Sequence, residues 1–146
     1  MKIMSNKFYA IIAAGFFASI LAASAQAQWT IVGNPKTDKL GNITLMNEKH
    51  RNGSFKITSR QYFAGTHVMM TERVTTFDPT GNIVSIISER RDKLNRTTFL
   101  SNEVKNNRGV WNKFRQTITY RSDRDRTGLT QGQRWDPASR RWINAL

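Results

Sequence analysis

The sequence predicts an all-β protein, an antiparallel β-meander of repeated hairpins built as a single curved sheet or a sandwich. After residue 28 no segment shows the apolar spacing of a long amphipathic helix, whereas alternation of period two recurs. Clusters of Asp, Pro, Gly and Asn separate the alternating runs. The intervals between runs are too short for the helical crossovers that parallel strands require, so successive strands should pair antiparallel.

The elements follow in order. Asn52-Gly53 is a compact turn, and the strand after it sets Phe55, Ile57 and Phe63 against Lys56, Thr58, Arg60 and Tyr62 on the opposite side. Asp78-Pro79-Thr80-Gly81-Asn82 places Asp first in a turn, Pro where φ is preset, and Gly where the chain needs a positive φ. Over residues 110–121, Val110, Phe114, Ile118 and Tyr120 share one parity. Opposite them fall Trp111, Lys113, Arg115, Thr117, Thr119 and Arg121, so this strand should turn its apolar set inward and its basic and aromatic set outward. Asp136-Pro137-Ala138-Ser139 joins a last pair of runs, 131–135 and 141–144.

A weak internal repeat of about 40 residues runs through these elements: Gly41-Asn42-Ile43 recurs as Gly81-Asn82-Ile83. Residues 74–77, a turn and residues 83–92 also align with 117–120, a turn and 129–136. Matching turn, strand and charge order indicates a duplicated hairpin whose copies stack into one continuous sheet.

Phe77-Asp78-Pro79-Thr80-Gly81-Asn82-Ile83, the Thr117-Ile118-Thr119-Tyr120 strand and Arg134-Trp135-Asp136-Pro137-Ala138-Ser139-Arg140-Arg141-Trp142 carry a resemblance. Residues 73–146 resemble the cassettes of small secreted uncharacterised Bacteroidetes proteins, which are similar to the tyrosine–aspartate repeats of Rhs-type shells. The resemblance implies an antiparallel hairpin array and supplies no catalytic residues. It departs from the pattern at Arg121-Ser122-Asp123-Arg124-Asp125-Arg126, where Gly-Asn is missing.

The first 27 residues point to a compartment. Lys2 and Lys7 precede an uncharged apolar run over 8–23, and Ala25-Gln26-Ala27 supplies small residues where a signal peptidase reads. That run is shorter than the roughly 20 residues of a membrane-spanning helix. The expectation is a signal peptide over 1–27 and a single β-rich domain over 28–146, exported in soluble form to the periplasm or the extracellular space. With no cysteine, the chain has no disulfide and no thiol for a lipoprotein anchor.

Charge points to partners. The chain holds 23 Lys and Arg against 10 Asp and Glu, a formal net charge of +13. Residues 29–89 carry seven bases and five acids, whereas 90–146 carry fourteen and five. Arginine dominates the second half, and its planar fork suits phosphate and sulfate oxygens. The leading expectation is a non-enzymatic exported module that binds an anionic envelope or extracellular polymer, polysaccharide or lipopolysaccharide, or serves there as a structural part. The candidate anion-binding residues are Trp111, Lys113, Arg115, Arg121, Arg134, Arg140, Arg141 and Trp142, basic groups interleaved with aromatics. Competing with it are charge as a solubility device, a secreted nucleic-acid binder, and a small periplasmic hydrolase drawing on Glu48, Glu72, Glu89 or Glu103.

Glu48, His50 and His67 are the only sketch of a metal site, without a recognisable spacing, and no cofactor is expected. Exposed edge strands would offer a route to homo-oligomers.

Overall fold

The computed structural model describes residues 29–145, so the expected signal peptide lies outside the described residues. Strand occupies 59% of what is described, and no helix occurs there. The strands are β1 (Trp29–Ile31), β2 (Lys36–Thr37), β3 (Ile43–His50), β4 (Phe55–Tyr62), β5 (Met69–Phe77), β6 (Ile83–Arg91), β7 (Thr97–Lys105), β8 (Trp111–Thr119), β9 (Leu129–Asp136) and β10 (Arg141–Asn144). From β3 to β10 each pairs antiparallel with the next, giving an open meander in one sheet. Among the described residues no second sheet packs against it, so the single-sheet form of the expectation holds there and the sandwich does not.

Turn chemistry explains the order. Five turns, beginning at Asp38, His50, Asp78, Asp92 and Asn106, share one geometry. The first residue's N–H donates to the fifth carbonyl, and the fourth N–H donates back to the first carbonyl. The fourth residue then takes a positive φ, 91° at Gly81 and 61° at Asn95, the pattern of a type I turn closed by a left-handed residue. Side chains lock the same loop. Asp78 Oδ1 accepts from the backbone N–H of Thr80 and of Asn82 at 2.9 Å each. Asp38, Asp92 and Asn106 repeat that pair of bonds. These hydrogen bonds favour the ionised carboxylate. The Thr80 hydroxyl is the largest influence on Asp78, whose pKa is lowered to about 2.

Successive turns alternate between the two ends of the sheet. The two Gly-Asn-Ile copies open β3 and β6, three strands apart, and so lie at opposite ends. Turns at the same end contact one another. Asn42, one of two buried polar residues among those described, donates from Nδ2 to Asp38 and to the Thr66 carbonyl, while its Oδ1 accepts from His67 Nδ1 at 2.6 Å. Arg96 reaches from the β6–β7 turn to the carbonyls of Ser122, Asp123 and Asp125, and its guanidinium lies 4.2 Å from the Tyr120 ring centroid. That grip holds the long β8–β9 loop.

Two expectations are corrected here. Phe63 does not extend β4: it starts the next turn, where its N–H donates to Val68 and its carbonyl accepts from Thr66. The alternation in β8 does not sort residues into inside and outside either. Among the described residues no apolar side chain is buried, because one layer of sheet has solvent on both faces. Parity selects between two faces, both half covered by neighbouring side chains.

Candidate functional site

Register assigns every strand residue to a face, since directly paired residues point the same way. One row runs Ser59, Arg73, Ser88, Ser101, Arg115 and Gln133. The opposite face carries the row Met46, Thr58, Val74, Ile87, Asn102, Phe114 and Arg134. We call these the Arg115 face and the Thr58 face.

Their charges differ in kind. Across β3 to β10 the Arg115 face holds six bases, Lys49, Arg73, Arg90, Lys105, Lys113 and Arg115, with Glu103 the single acid. Glu103 lies 3.2 Å from Lys113, leaving five cations without a carboxylate partner among the described residues. On the Thr58 face three glutamates are each matched by a base: Glu48 with Lys56 at 2.8 Å, Glu72 with Arg60 at 2.6 Å, and Glu89 with Arg91 at 2.8 Å. Burial pushes Glu89 up, but hydrogen bonds from Arg91 and Thr97 outweigh it and hold the carboxyl below its usual value. A glycosidic general acid needs the opposite shift.

On the Arg115 face arginines lie on rings. Arg90 sits 4.7 Å from the Phe99 centroid, and Arg115 sits 4.2 Å from the Trp142 centroid. Arg115 is fixed further by donating from Nε to Gln133 Oε1 at 2.9 Å. Trp142 in turn meets Trp135 edge-on, with centroids 5.7 Å apart. Between the two stacks lies an open groove of about 620 Å³, lined by Arg90, Phe99, Arg115, Thr117 and Gln133 among others.

The fold therefore gathers four of the eight sequence candidates, Trp111, Lys113, Arg115 and Trp142, onto one face. The other four separate from them. Arg134 pairs with Phe114, and Arg141 shares that Thr58 face, because the register across β8, β9 and β10 puts them out of phase with Arg115. Arg121 does not continue the β8 face: β8 ends at Thr119, and the Arg121 N–H is taken by Asp125 Oδ2 in the loop. Arg140 lies in the final turn with φ 52°.

Arg73, Arg90, Phe99 and Lys105 belong to the face but were not among the sequence candidates. Their signal was the turn Asp92-Lys93-Leu94-Asn95-Arg96, whose Asn95 stands where Gly81 stands in its counterpart. Reading it as a turn pairs Arg90 with Phe99.

The metal sketch does not assemble. His50 sits in the β3–β4 turn with Asn52, whereas His67 sits at the other end of the sheet with Asn42. Among the described residues no three His, Asp or Glu side chains cluster for a metal, and no helix is long and apolar enough to cross a membrane. Comparison of the chain with protein-family models, with curated proteins and with solved structures gave no match.

Proposed function

We infer that this protein is an exported, non-enzymatic module that binds an anionic polymer through its Arg115 face. The observation that carries the reading is the sorting of charge. Six bases and one acid share that face, a surplus of five, whereas the Thr58 face sets five bases, Lys56, Arg60, Arg91, Arg134 and Arg141, against four acids, with its three glutamates in ion pairs. A sheet carrying charge only for solubility has no need to sort it by face. Ring-supported guanidiniums add support, since ordered cations lose less freedom when an anion binds. Export is supported by the Lys2 and Lys7 segment, the apolar run and Ala25-Gln26-Ala27. The kinship with secreted tyrosine–aspartate cassette proteins belongs to the same proposal and is supported by the Asp-x-x-Gly-Asn turn at Asp78.

Association through edge strands has less to build on. β10 spans four residues, and the opposite edge is broken between Ile31 and Lys36, both of which blunt strand addition. The test of the proposed function is retention on a sulfated polymer as salt is raised. Replacing Arg73, Arg90 and Arg115 together with Gln should lower the slope of log affinity against log salt by about two to three. An unchanged slope in a folded variant would remove the Arg115 face as the site.

A further inference from the structure

The rings beneath the arginines restrict what kind of polyanion fits. Single-stranded nucleic acid is ordinarily held by bases stacking on open aromatic faces. At the groove Phe99 carries the Arg90 guanidinium and Trp142 carries that of Arg115, so these two rings serve as supports for cations, while Trp111 lies on the same face outside the groove lining. The surface between the stacks is neutral and hydroxyl- or amide-bearing. Thr117 and Gln133 line the groove, Gln131 stands directly beside Thr117, and Ser101 directly beside Arg115. Groups of this kind bond to sugar hydroxyls, as donors and as acceptors.

Direction follows from placement. Arg90 on β6 leans over Phe99 on β7, and Arg115 on β8 leans past Gln133 on β9 toward Trp142 on β10. The two cations are thus separated by two to three strand spacings across the sheet and by two residues along it, since Arg90 lies in the row of Phe99 and Thr117, roughly 12–16 Å in all. One sugar is shorter than that span, whereas charges two to three sugars apart on a chain lying obliquely across the strands match it.

We propose that the groove between Arg90 and Arg115 binds an acidic polysaccharide that crosses the strands, with one anionic group at each stacked arginine and sugar hydroxyls over Thr117 and Gln133. This inference rests on the Arg115 face being the polyanion site and adds the ligand's class and path. A polymer gripped at two points should gain affinity sharply once it is long enough to reach both.

The experiment is a binding series on the whole protein with heparin-derived di-, tetra- and hexasaccharides and with an oligothymidylate matched in charge to the hexasaccharide. The expected result is a rise of roughly tenfold or more between the disaccharide and the chains that span both arginines. Arg90→Gln should abolish that rise while leaving disaccharide affinity within about twofold, since the short ligand still has Arg115. Arg90 is exposed, so this variant tests the idea even where Arg115→Gln disturbs packing on Trp142. Arg115→Lys keeps the charge but not the planar stack, and should lose part of the rise.

A smooth increase with charge number and no step, or oligothymidylate binding as tightly as the hexasaccharide, would overturn the inference and leave a general polyanion surface. Failure of every ligand to bind would overturn the surface itself.

Discussion

The two faces of this sheet are made from the same strands, yet they solve the problem of charge in opposite ways. On the Thr58 face, apolar residues such as Val74, Ile87, Phe114 and Ile143 alternate with glutamates whose partners lie within 2.8 Å on the same or a neighbouring strand. On the Arg115 face the aromatics gather instead, with Phe55 and Phe77 at 6.2 Å, Trp135 and Trp142 at 5.7 Å, and arginines resting on Phe99 and Trp142. Ion pairing settles a charge within the molecule; stacking orders it and leaves its hydrogen-bonding edge outward. The first arrangement contributes to holding a coreless sheet together, and the second leaves five ordered or exposed cations without a carboxylate partner among the described residues.

That contrast breaks most visibly under matched triple replacements. Arg73, Arg90 and Arg115 changed together to Gln should weaken heparin binding about a hundredfold at low salt with little loss of stability. Lys56, Arg60 and Arg91 changed together to Gln should keep the binding and lower the unfolding free energy, because each leaves a glutamate without its base. Calorimetry and a salt-dependent binding curve on both variants give the answer. Equal loss of binding in the two would erase the distinction between faces.

The next largest effect tests the apolar row directly. Thr58 is buried, at 3% exposure, between Met46 and Val74 in the row that names its face. A carboxylate there would be desolvated without a partner, so Thr58→Asp should cost about 2–4 kcal/mol in a denaturant titration. Heparin affinity of the folded fraction should stay as it was, since the side chain points away from the Arg115 face.

How much of this was legible beforehand depended on turns. Parity within a strand reads straight from the residues, which is why Trp111, Lys113 and Arg115 were placed together correctly. Register between strands needs the exact turn, and one residue of error moves a whole strand to the other face. The Asp78 turn announced itself through Pro79 and Gly81, whereas the Asp92 turn hid behind Asn95, so Arg90 and Phe99 went unpaired in the sequence reading. The β8–β9 loop is longer and is held by Arg96 from a distant turn, a contact no local pattern reports. Arg134 was consequently grouped with Trp111, Lys113 and Arg115, whereas the register sets it on the opposite face. The lack of a core was illegible for a different reason: alternation tells which residues share a face and says nothing about whether another layer covers it.

Smaller effects sharpen the comparison from the acid side. Glu72→Gln removes the partner of Arg60 on a partly exposed pair, and should cost about 0.5–1 kcal/mol of stability without altering binding. Glu103→Gln does the reverse. It releases Lys113 on the Arg115 face, so heparin affinity should rise about two- to threefold at low salt while stability changes little. A gain in binding from Glu72→Gln equal to that from Glu103→Gln would mean that the polymer senses total charge and not the face.

The smallest expected change is in binding as pH varies, and it separates the faces once more. The turn aspartates and Glu89 have pKa values lowered in the fold, Asp78 to about 2 with the Thr80 hydroxyl as the largest influence. A carboxyl lowered by folding contributes stability that is complete above its unfolded value, near about 4, and is lost as pH falls through the folded value. Stability should therefore be flat above about pH 5 and decline from about pH 4 toward 2, where the turn aspartates and Glu89 lose their charge. Arginine keeps its proton throughout, and the Arg115 face has Glu103 as its only acid. Affinity for a sulfated polymer, whose charge is also constant, should stay within about twofold between pH 5 and 9. A binding curve that climbs steeply as pH drops through about 6.5 would instead implicate histidine, and both histidines lie in the turns at the ends of the sheet and not on this face.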